Sequence, residues 1–205
     1  SHTAFSHVGD WVYGKENQTD DYQSSIFDSY LISSGIEEIL NRHGYLIEQI
    51  SPATKAFSML EQPLPDLCAD RIDYNMQGSY FQKFMTKEEI LELFCDLSFE
   101  NGKWIFTNQE LAARLASFSL FMTEDCWGSA KNFITSKWLA EAILRGFEIG
   151  VISSDEFHFG TDQLIWDRLL TSKDSFIQDL MQNLLFADQY YHLIEPERAD
   201  LLIPF

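Results

Sequence analysis

The sequence predicts a mainly α-helical domain with one small β-hairpin insert, and three observations predict it. Apolar residues recur at helical spacing along most of the chain, paired capping residues and glycines mark helix starts and stops, and only one stretch carries a hairpin signature. With 205 residues, 45% of them apolar and 15% aromatic, the chain can bury one sizeable core, roughly 70% of the surface its unfolded form exposes. That composition opposes disorder, which requires low hydrophobicity together with high charge. One domain over residues 1–205 is expected.

The elements follow in order. His2 to Tyr13 reads as a brief helix running into the polar loop Gly14 to Asp21. From Tyr22, Ile26, Tyr30 and Leu31 and then Ile36, Ile39 and Leu40 have helical spacing, interrupted at Ser33 to Gly35. Two consecutive helices result, the second stopped by Gly44 after Arg42 and His43. Pro65 suits the first residue of a helix through Asp66, Ala69, Ile72, Asp73 and Met76 towards Tyr80. Thr86 with Glu89 forms a capping box opening a helix through Ile90, Leu93 and Phe94. The hairpin, at about residues 97–107, places Asn101-Gly102 between two short aromatic and β-branched runs, which predicts a type I′ turn.

Beyond the hairpin the pattern is helical again. Thr107 with Glu110 predicts a second capping box, and Leu111, Leu115, Phe118 and Met122 line one face. A longer helix from about Ser129 carries Phe133, Trp138, Leu139, Ala142, Ile143 and Phe147 and ends near Gly150. A turn at Ser153 to Gly160 precedes two more helices, Asp162 to Leu170 and Ser175 to Phe186.

Charge narrows the function. Fourteen Lys and Arg against 32 Asp and Glu give a net charge of −18. Such a surface repels duplex nucleic acid and anionic membranes, so neither is an expected partner. A phosphorylated small molecule would need a bound divalent cation or a local cluster of positive groups. Cys68, Cys95 and Cys126 are odd in number and far apart, which argues against a disulfide framework or a zinc knuckle and fits a reducing cytoplasm. No run approaches the ~20 apolar residues of a membrane span, and the N-terminus lacks the pattern of a signal peptide.

Two segments can carry chemistry. SHTAFSHVGD places His2, His7 and Asp10 within nine residues, and on a helix His7 and Asp10 share a face. Imidazole next to carboxylate suits metal ligation, proton transfer or phosphate contact, and it equally suits two surface histidines at a helix start. The second segment, PDLCADRIDYNMQ, spaces Asp66, Asp70 and Asp73 along one helical face, with Arg71 and Tyr74 close by. The helix macrodipole accounts for Asp66 in a first turn, while Asp70 and Asp73 lie further in and read either as a solvated face or as ligands. His43, His158 and His192 carry no mechanism by themselves and read as structural.

Together the two segments resemble the HD-domain metal-dependent phosphohydrolases, in particular the deoxynucleoside triphosphate triphosphohydrolase branch. SHTAFSH is similar to the GHTPFSH-like stretch that follows the family's His-Asp pair, and CADRIDYNMQ to its ADRxDYLxRD-like pattern. The resemblance implies an HD-type helical bundle and a divalent metal ion (Mg, Mn, Fe, Ni or Zn) held in part by Asp70. It further implies His2 and Asp10 as catalytic groups, and His7, Arg71 and Tyr74 as residues that bind the substrate. That substrate would be a phosphorylated small molecule, a nucleotide among the candidates, and the family's habit of assembly makes a homo-oligomer an expectation.

The departures are specific. The family's early His and adjacent His-Asp pair would precede Ser1, so the reading expects a domain truncated at its N-terminus. Where the family has a His-Glu pair whose His donates a proton or contacts phosphate, this chain has Phe27-Asp28, and phenylalanine cannot donate that proton. Asp21, in the loop, is a candidate substitute for it. Two functions follow: a metal-dependent phosphohydrolase, and a catalytically degenerate HD-like domain that binds a nucleotide or a protein.

Overall fold

The computed structural model describes residues 3–14, 22–51, 57–63 and 65–191. Among these, eleven α-helices and one two-stranded antiparallel sheet form a mainly α-helical fold with a small hairpin, as the sequence predicts. By contact the chain divides into two compact units, Ser1–Tyr30 with Ser129–Phe205, and Leu31–Gly128.

The first unit holds α1 (Val8–Tyr13), most of α2 (Tyr22–Ser33), α7 (Ala130–Glu148), α8 (Ser154–Phe159), α9 (Asp162–Leu170), α10 (Ser175–Leu185) and α11 (Ala187–Tyr190). The helix expected from Ser129 is α7, whose cap is the Ser129 hydroxyl accepting from the Asn132 amide at 3.1 Å. One face of α7, with Leu139, Ala142 and Ile143, is buried against α1, α9 and α10. Phe157, Ile165, Leu169 and Ile177 complete that core, each fully buried. Where only a turn is predicted, residues 154–159 wind into α8. Ser153 and Glu156 cap each other's amides at 3.1 and 2.9 Å, which supplies partners for two otherwise unpaired donors and closes a helix of one and a half turns.

The second unit holds α3 (Ile36–Arg42), α4 (Ala69–Phe81), α5 (Lys87–Asp96), β1 (Ser98–Glu100), β2 (Lys103–Ile105) and α6 (Gln109–Phe121). Its core is Ile72, Met76, Met85, Leu93, Leu111 and Leu115. The predicted capping box opens α5, with Thr86 Oγ1 accepting from the Glu89 amide at 3.2 Å and Glu89 accepting from the Thr86 amide at 2.8 Å. Asn101 and Gly102 both have positive φ, 51° and 80°, the signature of the expected type I′ turn, and Phe99 pairs across it with Trp104.

Three local expectations shift. Helix α4 begins at Ala69 and not at Pro65, because the Ala69 amide donates to the Met59 carbonyl at 2.9 Å and Cys68 stays extended. The cap of α6 is Asn108 and not Thr107: Asp96 takes the Thr107 amide and hydroxyl, leaving Asn108 to accept from Leu111 at 3.2 Å. Finally, the buried stripe of α6 stops at Phe118, and Met122–Trp127 form a π-helical turn closed by the Gly128 amide on the Thr123 carbonyl at 2.7 Å.

Candidate functional site

The first motif is a fixed loop leading into a short helix. Ala4 donates to the Phe157 carbonyl at 3.0 Å and Phe5 to Asp162 Oδ1 at 2.8 Å, so both amides tie the loop to α8 and α9. Phe5 and Ser6 adopt the left-handed region at φ 57° and 49°. This turns the chain so that His7 stands at the start of α1. There His7 Nδ1 meets Asp10 Oδ2 at 3.0 Å, the i,i+3 pair the spacing predicts, while Asp10 Oδ1 accepts from the Tyr22 amide at 3.1 Å and holds the start of α2. The carboxylate of Asp10 thus has work at both oxygens. The His7 side chain is 74% exposed. His2 and Asp21 lie outside the described residues, as does His192. Phe27 is half-buried on α2 and Asp28 exposed.

Near this motif, within the first unit, lies a polar cluster that no sequence spacing announces. His158 Nδ1 lies 2.9 Å from the Ser154 carbonyl, which can only accept, so Nδ1 carries a proton, and Nε2 hydrogen-bonds the Tyr22 hydroxyl. Tyr13 hydrogen-bonds Ser154 Oγ at 2.8 Å and stacks on both Tyr22 and His158, with ring centroids 4.4 and 5.0 Å away, while the Tyr22 and His158 rings are 5.7 Å apart. Burial, reinforced by Tyr13, pushes the Tyr22 phenol up to about 12, and burial raises Tyr13 as well.

The second motif belongs to the other unit and is organised differently. Arg71, with a side chain only 19% exposed, points back along the chain: Nη1 donates to the carbonyls of Gln62 and Asp66 at 2.7 and 2.8 Å, and Nη2 lies 3.4 Å from Glu61. It fastens the segment that leads into α4. Because α4 starts late, Asp70 falls in its first turn, where the macrodipole favours an acidic group, the place expected for Asp66. The Asp70 side chain is exposed and makes no hydrogen bond or ion pair among the described residues. Asp73 instead accepts from Gln77 at 2.6 Å. Tyr74 is 38% exposed and meets Trp127 edge-to-face at 5.3 Å. Burial raises its phenol, with Arg71 opposing and the Asp70 charge adding. Trp127, carried here by the π-helical turn, is a neighbour the sequence pattern does not reveal.

No family model matches the chain. It is similar to two curated proteins. Over 184 residues it is 33% identical to YdhJ of Bacillus subtilis, a protein named as uncharacterized, covering 90% of this chain and 56% of that one. Over 175 residues it is 35% identical to the metal-dependent phosphohydrolase cns2 of Cordyceps militaris, covering 82% of this chain and 50% of that one. The chain spans about half the length of the curated relatives it matches.

A metal site can be tested against the residues present. Among the described residues no three His, Cys, Asp or Glu side chains gather to hold an ion. Asp70 offers one carboxylate, and a divalent cation needs several donors. No adjacent His-Asp pair occurs anywhere in the sequence. The described residues therefore do not by themselves form the metal centre that the resemblance implies. No helix among them is long and apolar enough to cross a membrane.

Proposed function

We propose that this chain is part of a metal-dependent phosphohydrolase of the HD type that acts on a nucleotide or another phosphate ester or anhydride. What supports the reading is the conjunction of a relative named as such an enzyme with the availability of Asp70, an exposed carboxylate with no protein partner among the described residues, inside the CADRIDY motif. In this reading Asp70 is one ligand of a divalent ion, while His2 and Asp10 are the catalytic groups of the other motif. His7, Arg71 and Tyr74 face the substrate, Arg71 chiefly by holding the segment before α4 in place. The deoxynucleotide-hydrolysing branch is the finer form of the same proposal.

The test is phosphate release from a panel of nucleotides and phosphomonoesters, with and without added Mg, Mn, Fe, Ni or Zn. Metal-dependent release that Asp70→Asn lowers on the order of 100-fold, about 2.7 kcal/mol, is the expected result. Release indifferent to metal and to Asp70 removes the proposal. Phe27, in the place of the family's proton-donating His, favours a second reading: a degenerate domain that binds a nucleotide or a protein partner without turning anything over. Under that reading nucleotides raise the melting temperature while no phosphate appears.

A further inference from the structure

At the end of α4 remote from Asp70, a cavity of about 420 Å³ opens between that helix and α5, lined by Tyr80, Lys83, Phe84, Thr86, Lys87 and Arg114 among others. Its volume suits a small organic ligand. Its charge is out of character for the chain. The segment Leu31–Gly128 contains seven Lys and Arg, and three of them line this one cavity. Arg114 is fixed in the wall by Glu89 and by the Phe84 carbonyl. The side chains of Lys83 and Lys87 make no hydrogen bond or ion pair among the described residues. Glu88 is the one carboxylate lining the cavity among the described residues.

Lys83 also occupies a position where lysine is costly. Helix α4 ends in a Schellman motif, the Phe84 amide on the Ser79 carbonyl at 2.8 Å and the Lys83 amide on the Tyr80 carbonyl at 3.0 Å. The residue just past the helix end must then adopt the left-handed conformation, and Lys83 does, at φ 59°. Glycine is the residue that fits there without strain. Strain retained at one residue is explained when its side chain is needed, and here that side chain lines the cavity.

We propose that this cavity binds a phosphorylated small molecule, its phosphate between Lys83, Lys87 and Arg114 and its body against the rings of Tyr80 and Phe84. A phosphate has three or more acceptor oxygens and up to two charges, which match cations arriving from separate directions better than a carboxylate does. The Phe84 ring is held in place by Phe118, 5.4 Å away. The site goes beyond the Asp70 reading and stands without it, since α4 separates the two by on the order of 15–20 Å.

Calorimetric titration of the 205-residue chain at low salt tests it, with inorganic phosphate in one arm and adenosine monophosphate in the other. Saturable binding is expected in at least one arm, the second arm being the tighter if the rings contribute. Lys83→Gly should weaken it tenfold or more while raising the melting temperature, because the strain is relieved as the charge is lost. Lys87→Gln should weaken it without that gain, and Lys103→Gln, at an exposed lysine of β2 outside the cavity, should leave it unchanged. An absence of saturable binding in both arms overturns the proposal. So does binding that survives the Lys83 and Lys87 substitutions, or binding that Lys103→Gln weakens as much as they do.

Discussion

The two motifs that carry the family resemblance differ in what their polar groups are occupied with. In SHTAFSH and the helix after it, loop amides are bound to α8 and α9, and both oxygens of Asp10 have partners, His7 and the Tyr22 amide. In CADRIDY the arginine is occupied and the aspartate is not: Arg71 holds the preceding loop while Asp70 stands exposed and unpaired among the described residues. Residues that match a motif equally well are therefore unequally available for chemistry. A carboxylate already accepting two hydrogen bonds serves first as a brace. One with none can take a ligand without breaking anything.

That contrast can be broken first through the core beneath the earlier motif. Phe157 is fully buried, and its carbonyl is the anchor of Ala4. Phe157→Ala should cost ~3–5 kcal/mol in urea unfolding. It should also accelerate amide exchange at Ala4 and Phe5 while leaving the amides of α4 less affected. Equal acceleration in both segments would mean that the loop is not held by its local anchors.

The sharper comparison is between the aspartates. Asp70→Asn should reduce phosphate release on the order of 100-fold yet shift stability by no more than the ~0.3–1 kcal/mol of a first-turn acidic residue. Asp10→Ala should do the reverse in emphasis, lowering stability by ~1–2 kcal/mol as the Tyr22 amide and His7 lose their acceptor. Thermal melts and rates on the same samples separate the two. Arg71→Ala, which removes two carbonyl contacts and the Glu61 pair, should cost ~2–3 kcal/mol, and Arg71→Lys should not fully restore it, since the lysine nitrogen stops one bond short of Nη1 and no second nitrogen is left for Glu61.

Much of the helical order was legible in the sequence because its determinants are local. Thr86 and Glu89, Asn101-Gly102, Gly35 and Gly44 each act within a few residues, and each does what its spacing predicts. Failures occur where a partner comes from elsewhere. Asp96, 11 residues upstream, takes Thr107 and moves a helix cap by one residue; Arg71 and Met59 take up the loop and delay α4. The π-helical turn lies beyond the reach of an apolar pattern that reads on through Met122. For the same reason the pairing of Tyr22 with His158, 136 residues apart, has no signal in either neighbourhood. The candidate site divides along this line as well. Asp70 and the His7 and Asp10 pair are visible as motif residues, while Trp127 beside Tyr74 is brought in by an irregular turn.

The tyrosine cluster gives the finest test of the earlier motif as a braced structure. Tyr22 ionises in the fold only at about 12, against an ordinary value of 10.0. Between those values the folded chain keeps a proton that the unfolded chain has released. Stability from this group is therefore complete below pH 10 and falls as the pH rises towards 12. The cause is mainly burial, since the hydroxyl lies against His158 and the ring against Tyr13. Tyr22→Phe deletes the ionisation while keeping the ring, so melting temperatures recorded from about pH 9 to about 12 should fall less steeply in the variant. At neutral pH the variant should lose only the hydrogen bond to His158, ~0.5–1.5 kcal/mol. A variant whose alkaline slope matches the parent's would show that the cluster does not shield the phenol, and with it that the start of α2 is less firmly held than Asp10 and His158 together imply.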